Sequence, residues 1–141
     1  MPRVERSIEI AAPVSRVQQV IVDFERYPEF VPFMERAELL GIEGERRRVR
    51  FTLNLVARIS YTLDLVPGTD SGLTWTLVDG PFVRNNGSWR LKATNDDGTL
   101  ATYTADVELK GFLPGFLERR LVAESLPATL RAFRDRAESD A

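Results

Sequence analysis

The chain has 141 residues, 43% of them hydrophobic and 28% charged, with a formal net charge of −2. That length and apolar content fit one domain with a sizeable core and exclude a disordered chain. The balanced charge gives no general pull toward nucleic acid or anionic lipid, and no apolar run approaches the ~18–20 residues of a membrane span.

The first residues, Met1-Pro2-Arg3-Val4-Glu5, alternate polar and apolar without the long hydrophobic stretch of a signal peptide. The expectation is therefore a cytoplasmic protein with no transmembrane segment and no nucleic-acid partner. There is no cysteine and no histidine. Disulfides, thiolate nucleophiles and Cys or His metal sites are thereby excluded, as are Ser-His and Cys-His nucleophile pairs. The commonest general base is missing too. The only lysines are Lys92 and Lys110. Both lie in strand-like stretches with charged neighbours, a poor setting for a depressed lysine pKa and a Schiff base. No catalytic residue, metal or cofactor is expected on these grounds.

In chain order, Arg3–Ile10 alternates, with Val4, Ile8 and Ile10 on one face and Glu5, Ser7 and Glu9 on the other, and reads as a strand. Pro13 is placed at the first position of a helix whose buried stripe is Val17, Val20, Ile21 and Phe24. Asp23–Phe33 contains Pro28 and Pro32 and can hold at most a short helix and a turn.

Met34–Ile42 reads as a strand, followed by a turn at Glu43-Gly44-Glu45. Val49, Phe51, Leu53 and Leu55 then alternate with polar residues, and the parity continues through Ala57, Ile59, Tyr61, Leu63 and Leu65. One strand of that length exceeds the usual ~3–10 residues, which places a hairpin near Leu55–Arg58. Pro67–Gly72 is a loop. Leu73, Trp75 and Leu77 mark the next strand, and Asp79-Gly80-Pro81 the next turn. Trp89 and Leu91 carry the strand after it. Asn86-Gly87 reads as a bulge inside that strand rather than a separate hairpin. Asn95–Gly98 is a turn, and Ala101, Tyr103, Ala105, Val107 and Leu109 form the clearest strand.

Beyond Lys110 the pattern turns helical, with Val122, Leu126, Leu130, Phe133 and Ala137 on one face and an expected kink at Pro127. Leu113, Phe116, Leu117 and Leu121 fall on another side of the helical wheel. A one-sided sheet needs a cover, and the terminal helix supplies it. The fold class is α+β: a curved antiparallel sheet of about seven strands around a long C-terminal helix, with two short helices after the first strand. There is no internal repeat or linker, so residues 1–141 are read as one domain.

Three stretches, in this order, resemble one known family. Asp23-Phe24-Glu25-Arg26-Tyr27-Pro28-Glu29-Phe30-Val31-Pro32-Phe33 is similar to its tyrosine-proline loop. Gly80-Pro81-Phe82 followed by Gly87-Ser88-Trp89 is similar to its late strand pair. Leu130-Arg131-Ala132-Phe133-Arg134-Asp135-Arg136-Ala137 is similar to its terminal-helix signature. The chain thus resembles the START-like helix-grip (SRPBCC) superfamily, in its polyketide cyclase/coenzyme Q-binding branch, which includes the bacterial ribosome-association toxin proteins. The resemblance spans Arg3 to Ala137. It departs at Phe33 and Met34, where some relatives carry Trp and Cys, and at Pro127. It implies a helix-grip fold and a bound hydrophobic molecule such as a quinone, lipid or polyketide.

The inward-facing set is Phe51, Leu53, Tyr61, Leu63, Trp75, Leu77, Trp89, Leu91 and Tyr103, joined at the gate by Phe116, Leu117 and Leu121. These are the candidate ligand-binding residues. A filled core is the plain alternative, but four indole and phenol groups need polar partners that a dry core supplies poorly. Gly111–Leu117 is either a mobile gate or an ordinary strand-to-helix connection. Arg46-Arg47-Arg48 with Arg50 is a basic cluster that reads as a solvated strand end, and otherwise as a contact for a ribosome-type assembly. Asp96-Asp97 reads as a turn. The resulting reading is a non-enzymatic binding or carrier protein for a small hydrophobic molecule. One rival is a cyclase or dehydratase acting on an aromatic polyketide-like substrate, in which Tyr61, Tyr103 or an arginine polarises a carbonyl. The other is a docking module on a macromolecular assembly such as the ribosome.

Overall fold

The computed structural model describes residues 3–54, 58–68, 71–111, 116, 119–120 and 125–139. Seven strands form one antiparallel sheet: β1 (Arg3–Ile10), β2 (Met34–Glu43), β3 (Arg46–Asn54), β4 (Arg58–Pro67), β5 (Leu73–Asp79), β6 (Phe82–Ala93) and β7 (Thr99–Leu109). Their order across the sheet is β1-β7-β6-β5-β4-β3-β2. The chain therefore walks strand by strand from β2 to β7, and β1 closes the far edge against β7. Two α-helices, α1 (Val14–Val22) and α2 (Leu126–Glu138), and a 3₁₀ helix, Phe24–Glu29, complete the described structure.

Each element follows from its pattern. In α1 the stripe Val17, Val20 and Ile21 is buried. Pro13 is its N-cap, with extended dihedrals of −68° and 157°, and so stands one position ahead of the expected first helical residue. Pro28 limits Phe24–Glu29 to a 3₁₀ segment, which tolerates the missing donor in its short span. The β3–β4 turn falls outside the described residues. Its flanks pair with Asn54 opposite Arg58, the geometry a hairpin there requires. Pro127 sits in the first turn of α2, a position that suits proline, and Ser125 before it has helical dihedrals of −76° and −34°.

The bulge expected at Gly87 is not there. The β6–β7 register runs unbroken through Asn86–Asp106, Gly87–Ala105 and Ser88–Thr104, and the shift falls instead between Phe82 and Arg84. Gly87 has another reason to be glycine. A Cβ there would collide with the Thr104 carbonyl and lie 2.6 Å from the Trp75 ring. The pairing of β5 with β6 also ends at Trp75–Gly87, after only three residue pairs.

One face of the sheet, with α1, the 3₁₀ helix and α2, encloses the main core, which runs from Ile10 and Val17 through Phe51, Trp75 and Trp89 to Leu130 and Phe133. A smaller cluster of Leu53, Ile59, Phe82 and Leu109 fills the end where β3, β4, β6 and β7 meet. The C-terminal end of α2 is tied down on several sides. Arg136 pairs with Glu29 at 2.7 Å and lies over the Phe30 ring at 5.0 Å. Arg16 donates to the carbonyls of Arg136 and Ala137, and the Ala11 amide donates to Glu138 at 2.8 Å. A guanidinium on the last carbonyls of a helix also offsets the negative end of its dipole.

Candidate functional site

Beneath the N-terminal half of α2 the inner face of the sheet does not close completely. A cavity of about 150 Å³ lies there. Its floor is Phe51, Leu53, Tyr61, Leu63, Leu65, Leu73, Trp75, Phe82, Trp89 and Tyr103 from β3 to β7. Tyr27, Val31 and Pro32 wall one side, and Ser125, Leu126, Thr129 and Phe133 form the roof. The β5–β6 pairing ends at Trp75–Gly87, beside the residues that line this space.

Seven of the sequence-expected residues therefore line the cavity: Phe51, Leu53, Tyr61, Leu63, Trp75, Trp89 and Tyr103. Leu77 and Leu91 do not. Both are half-buried and pack against the core, Leu77 at the end formed by Leu53, Ile59, Phe82 and Leu109, and Leu91 beyond the last β5–β6 pair, Leu73–Trp89. Phe116 is 43% exposed and is not part of the cavity wall. Leu117 and Leu121 lie outside the described residues, as does most of the expected gate. Residues that sequence reasoning passed over include Tyr27, Leu65, Leu73, Phe82, Asn85, Ala105, Ser125 and Phe133. The parity used for Trp89 and Tyr103 reaches Asn85 and Ala105, and the helical stripe reaches Phe133.

The aromatic walls are interlocked. Tyr103 packs against Trp75 at 5.3 Å and Trp89 at 5.1 Å between centroids, and Tyr61 meets Phe82 edge-on at 5.2 Å. Tyr27 stacks on Phe51, and Phe133 is gripped edge-on by Tyr27, Phe30 and Trp89. Gly80 has φ +142°, a backbone that L side chains rarely adopt, and a Cβ there would lie 2.6 Å from the Cβ of Tyr61. The β5–β6 turn thus packs directly against the Cα and Cβ of Tyr61.

The polar groups of the site fall into two kinds. The Tyr27 hydroxyl donates to the Ile21 carbonyl, Trp75 Nε1 donates to Asn85 Oδ1 at 3.2 Å, and Thr129 bonds the Ser125 carbonyl at 2.7 Å. Trp89 Nε1, the Asn85 amide N–H₂ and the Tyr61 and Tyr103 hydroxyls belong to cavity-lining residues and have no hydrogen-bond partner among the described residues, yet none of them is a sealed buried orphan. Burial pushes the Tyr27, Tyr61 and Tyr103 phenols well above the ordinary tyrosine value, and for Tyr27 and Tyr61 the nearby Tyr103 adds to the effect. All three are neutral donors at physiological pH. No charged side chain lines the cavity among the described residues.

The remaining sequence features have simpler roles. On the outer face of the sheet Arg48 makes a two-pronged pair with Asp64 at 2.8 and 3.1 Å. Arg50 stands opposite Glu38, and Arg46 opposite Glu43. The basic cluster is thus interleaved with acids. Asp96 accepts from Thr94 at 2.6 Å and Asp97 has φ +61°, both within the β6–β7 turn. Among the described residues no helix is long and apolar enough to cross a membrane.

Comparison with known proteins places this architecture. Residues 1–138 match the family described as polyketide cyclase/dehydrase and lipid transport. The ribosome association toxin RatA of Pseudomonas aeruginosa is 26% identical over 137 residues, covering 95% of this chain and 94% of its own. The Zhui aromatase/cyclase of Streptomyces sp. R1128 superposes with a TM-score of 0.84 at 20% identity, covering 97% of this chain and 93% of its own. A START superfamily protein from Mycobacterium smegmatis does so with a TM-score of 0.84 at 22% identity, covering 96% and 97%. The chain has the START-like helix-grip fold and belongs to the polyketide cyclase/dehydrase and lipid-transport family.

Proposed function

We propose that this chain works as one cytoplasmic ligand-binding unit that holds or carries a small hydrophobic molecule between the sheet and α2, without transforming it. The observation that carries this reading is the aromatic cavity of about 150 Å³ under α2. A cavity of that size holds a single aromatic ring, and it is smaller than the roughly 300–1,000 Å³ of sites for drug-sized ligands. A quinone head group fits it as it stands. A lipid tail or a fused polyketide needs α2 or its neighbours to move outward. The ties at the C-terminal end of α2 favour its N-terminal half as the part that moves.

The cyclase reading finds less support. Acid–base chemistry needs a group whose pKa sits near the working pH. The described walls offer only tyrosines, whose pKa values burial moves away from that range. Docking on a ribosome-type assembly, suggested by the name of the toxin relative, would call on a basic surface, and the arginine cluster here faces its own acids.

Native mass spectrometry of the purified protein should show a co-purified apolar molecule. Titration with quinones, fatty acids and aromatic ketones should quench Trp75 and Trp89 fluorescence saturably. Ala105→Leu, which pushes a larger side chain into the cavity, should abolish the quenching while the protein stays folded. Absence of both the adduct and the quenching across the panel would overturn the carrier reading.

A further inference from the structure

We propose that the free edge of β2 pairs with the same edge of a second copy of this chain, antiparallel about a two-fold axis at Leu39, joining the two sheets into one. This edge is separate from the cavity, whose walls include no residue from 36 to 43. The ligand-binding reading therefore stands or falls on its own.

The sheet ends on β1 at one side and β2 at the other, and the two edges are built differently. The exposed residues of β1 are Arg3, Glu5, Arg6, Ser7 and Glu9, a charged edge of the kind that discourages further pairing. β2 contains no lysine and no proline, and it exposes Leu39, Leu40 and Ile42, the last at 61%. Among the described residues its one strand partner is β3. Exposed aliphatic side chains beside a row of unpaired backbone N–H and C=O groups form a template for another strand. Gly41 points the same way. Its backbone is not left-handed, and a Cβ there would meet nothing within 4 Å, so its own chain gives no reason for a glycine. A glycine inside a strand leaves room for another backbone to approach.

The occupant follows from the register. Ala37 and Leu39 stand opposite the buried Phe51 and Val49, and Ile42 opposite Arg47, itself opposite the buried Leu65. These three belong to the inner face. Arg36, Glu38, Gly41 and Glu43 stand opposite Thr52, Arg50, Arg48 and Arg46 and belong to the outer face. Leu40 is the extra residue at the shift between Leu39 and Gly41. With Leu40 passed over, the faces alternate symmetrically about Leu39. A two-fold pair then sets Arg36 against Glu43 of the second copy, Ala37 against Ile42, Glu38 against Gly41, and Leu39 against itself. Every opposed pair shares a face, and no like charges meet. Arg36 makes no salt bridge among the described residues of its own chain, so its guanidinium is available to the second copy. Opposite-charge and apolar cross-strand pairs both stabilise antiparallel pairing, and the two-fold arrangement closes at two copies. A single strand pair buries less than the roughly 1,200 Å² of a stable interface, which places the dissociation constant at about 1–100 μM.

Sedimentation velocity of the full chain from about 1 to 300 μM should show a monomer–dimer equilibrium in that range. Amide exchange of residues 39–42 should slow as concentration rises. Arg36→Glu and Glu43→Arg each set two like-charge pairs across the edge. Each should weaken self-association at least tenfold while both variants, altered at exposed positions, keep the wild-type circular dichroism spectrum. An equimolar mixture of the two variants restores both opposite-charge pairs and should dimerise within about threefold of wild type. A chain that stays monomeric up to 300 μM would overturn the proposal. So would a dimer indifferent to both substitutions, which would place its contact elsewhere. A mixture that dimerises no better than either variant alone would overturn the antiparallel pairing of Arg36 with Glu43.

Discussion

Phe133 is where α2 is locked onto the rest of the molecule, and truncating it has a calculable cost. Its side chain is 4% exposed, and its ring meets Tyr27 and Phe30 at 5.1 Å and Trp89 at 5.3 Å, all edge-on. Burying a phenylalanine contributes about 1.5–3 kcal/mol, and each aromatic pair adds roughly 0.5–1.5 kcal/mol. One flank borders the cavity and lacks partner atoms, which keeps the total below the full sum. Phe133→Ala should therefore destabilise the fold by about 3–4 kcal/mol, within the range of large aromatic truncations. In urea denaturation, with a slope of about 2 kcal/mol/M, the midpoint should fall by about 1.5–2 M with the slope unchanged. The truncation also opens onto the existing space, so a two-ring probe such as naphthalene should bind the variant better than the wild-type protein. Phe116, 43% exposed and outside the cavity wall, should change stability by no more than about 0.5 kcal/mol when cut to alanine. A loss below about 1 kcal/mol for Phe133→Ala, or equal losses for both variants, would refute the idea that this ring holds the helix.

Gly87→Ala should be out of proportion to its size, about 2–4 kcal/mol by thermal or urea unfolding, because the new methyl meets Trp75 and the Thr104 carbonyl; a near-neutral result would mean that β6 yields easily there. Tyr27→Phe removes the buried hydroxyl bonded to the Ile21 carbonyl and should cost about 1 kcal/mol in urea unfolding, while no change would mean that water replaces the phenol. The Arg48 guanidinium holds the Asp64 carboxyl below the ordinary carboxylate range. Because the folded value is the lower one, the stabilisation is present above the unfolded pKa of about 4 and is lost as pH falls through the folded one. Asp64→Asn should thus lower stability near neutrality and flatten its decline below pH 4, and parallel curves for the two proteins would count against the pair.

Much of this fold is written in simple parity. Alternation in Arg3–Ile10, Val49–Leu53 and Ala101–Leu109 marks strands that are wet on one side, and the structure forms them with those faces inward. The stripe Leu126, Leu130, Phe133 and Ala137 marks the buried face of α2 in the same way. Other features are set by contacts distant in sequence, which no local pattern records. Pro13 caps α1 rather than opening it because the chain enters extended from the β1 side. Leu77 and Leu91 share the inward parity of Trp75 and Trp89, yet where β5 ends its pairing with β6 decides which of the four reach the cavity.

Asn85 shows how one wrong local inference hides a cavity-lining residue. In sequence, Arg84-Asn85-Asn86-Gly87 has the composition of a turn, and a bulge at Gly87 would have reversed the parity on its N-terminal side. Asn85 would then face solvent, where an asparagine needs no explanation. The register instead runs straight through Gly87, so Asn85 keeps the parity of Trp89 and points inward. Gly87 is a glycine because the Trp75 indole lies against it, and that same indole reaches Asn85 through its Nε1. The three residues act together: Gly87 admits the ring, the ring holds the amide through its oxygen, and Asn85 lines the cavity. A glycine in a strand interior marks either a bend or a close approach. The two readings give opposite faces to the strand residues ahead of it, so the place of Asn85 in the cavity wall follows from that single assignment.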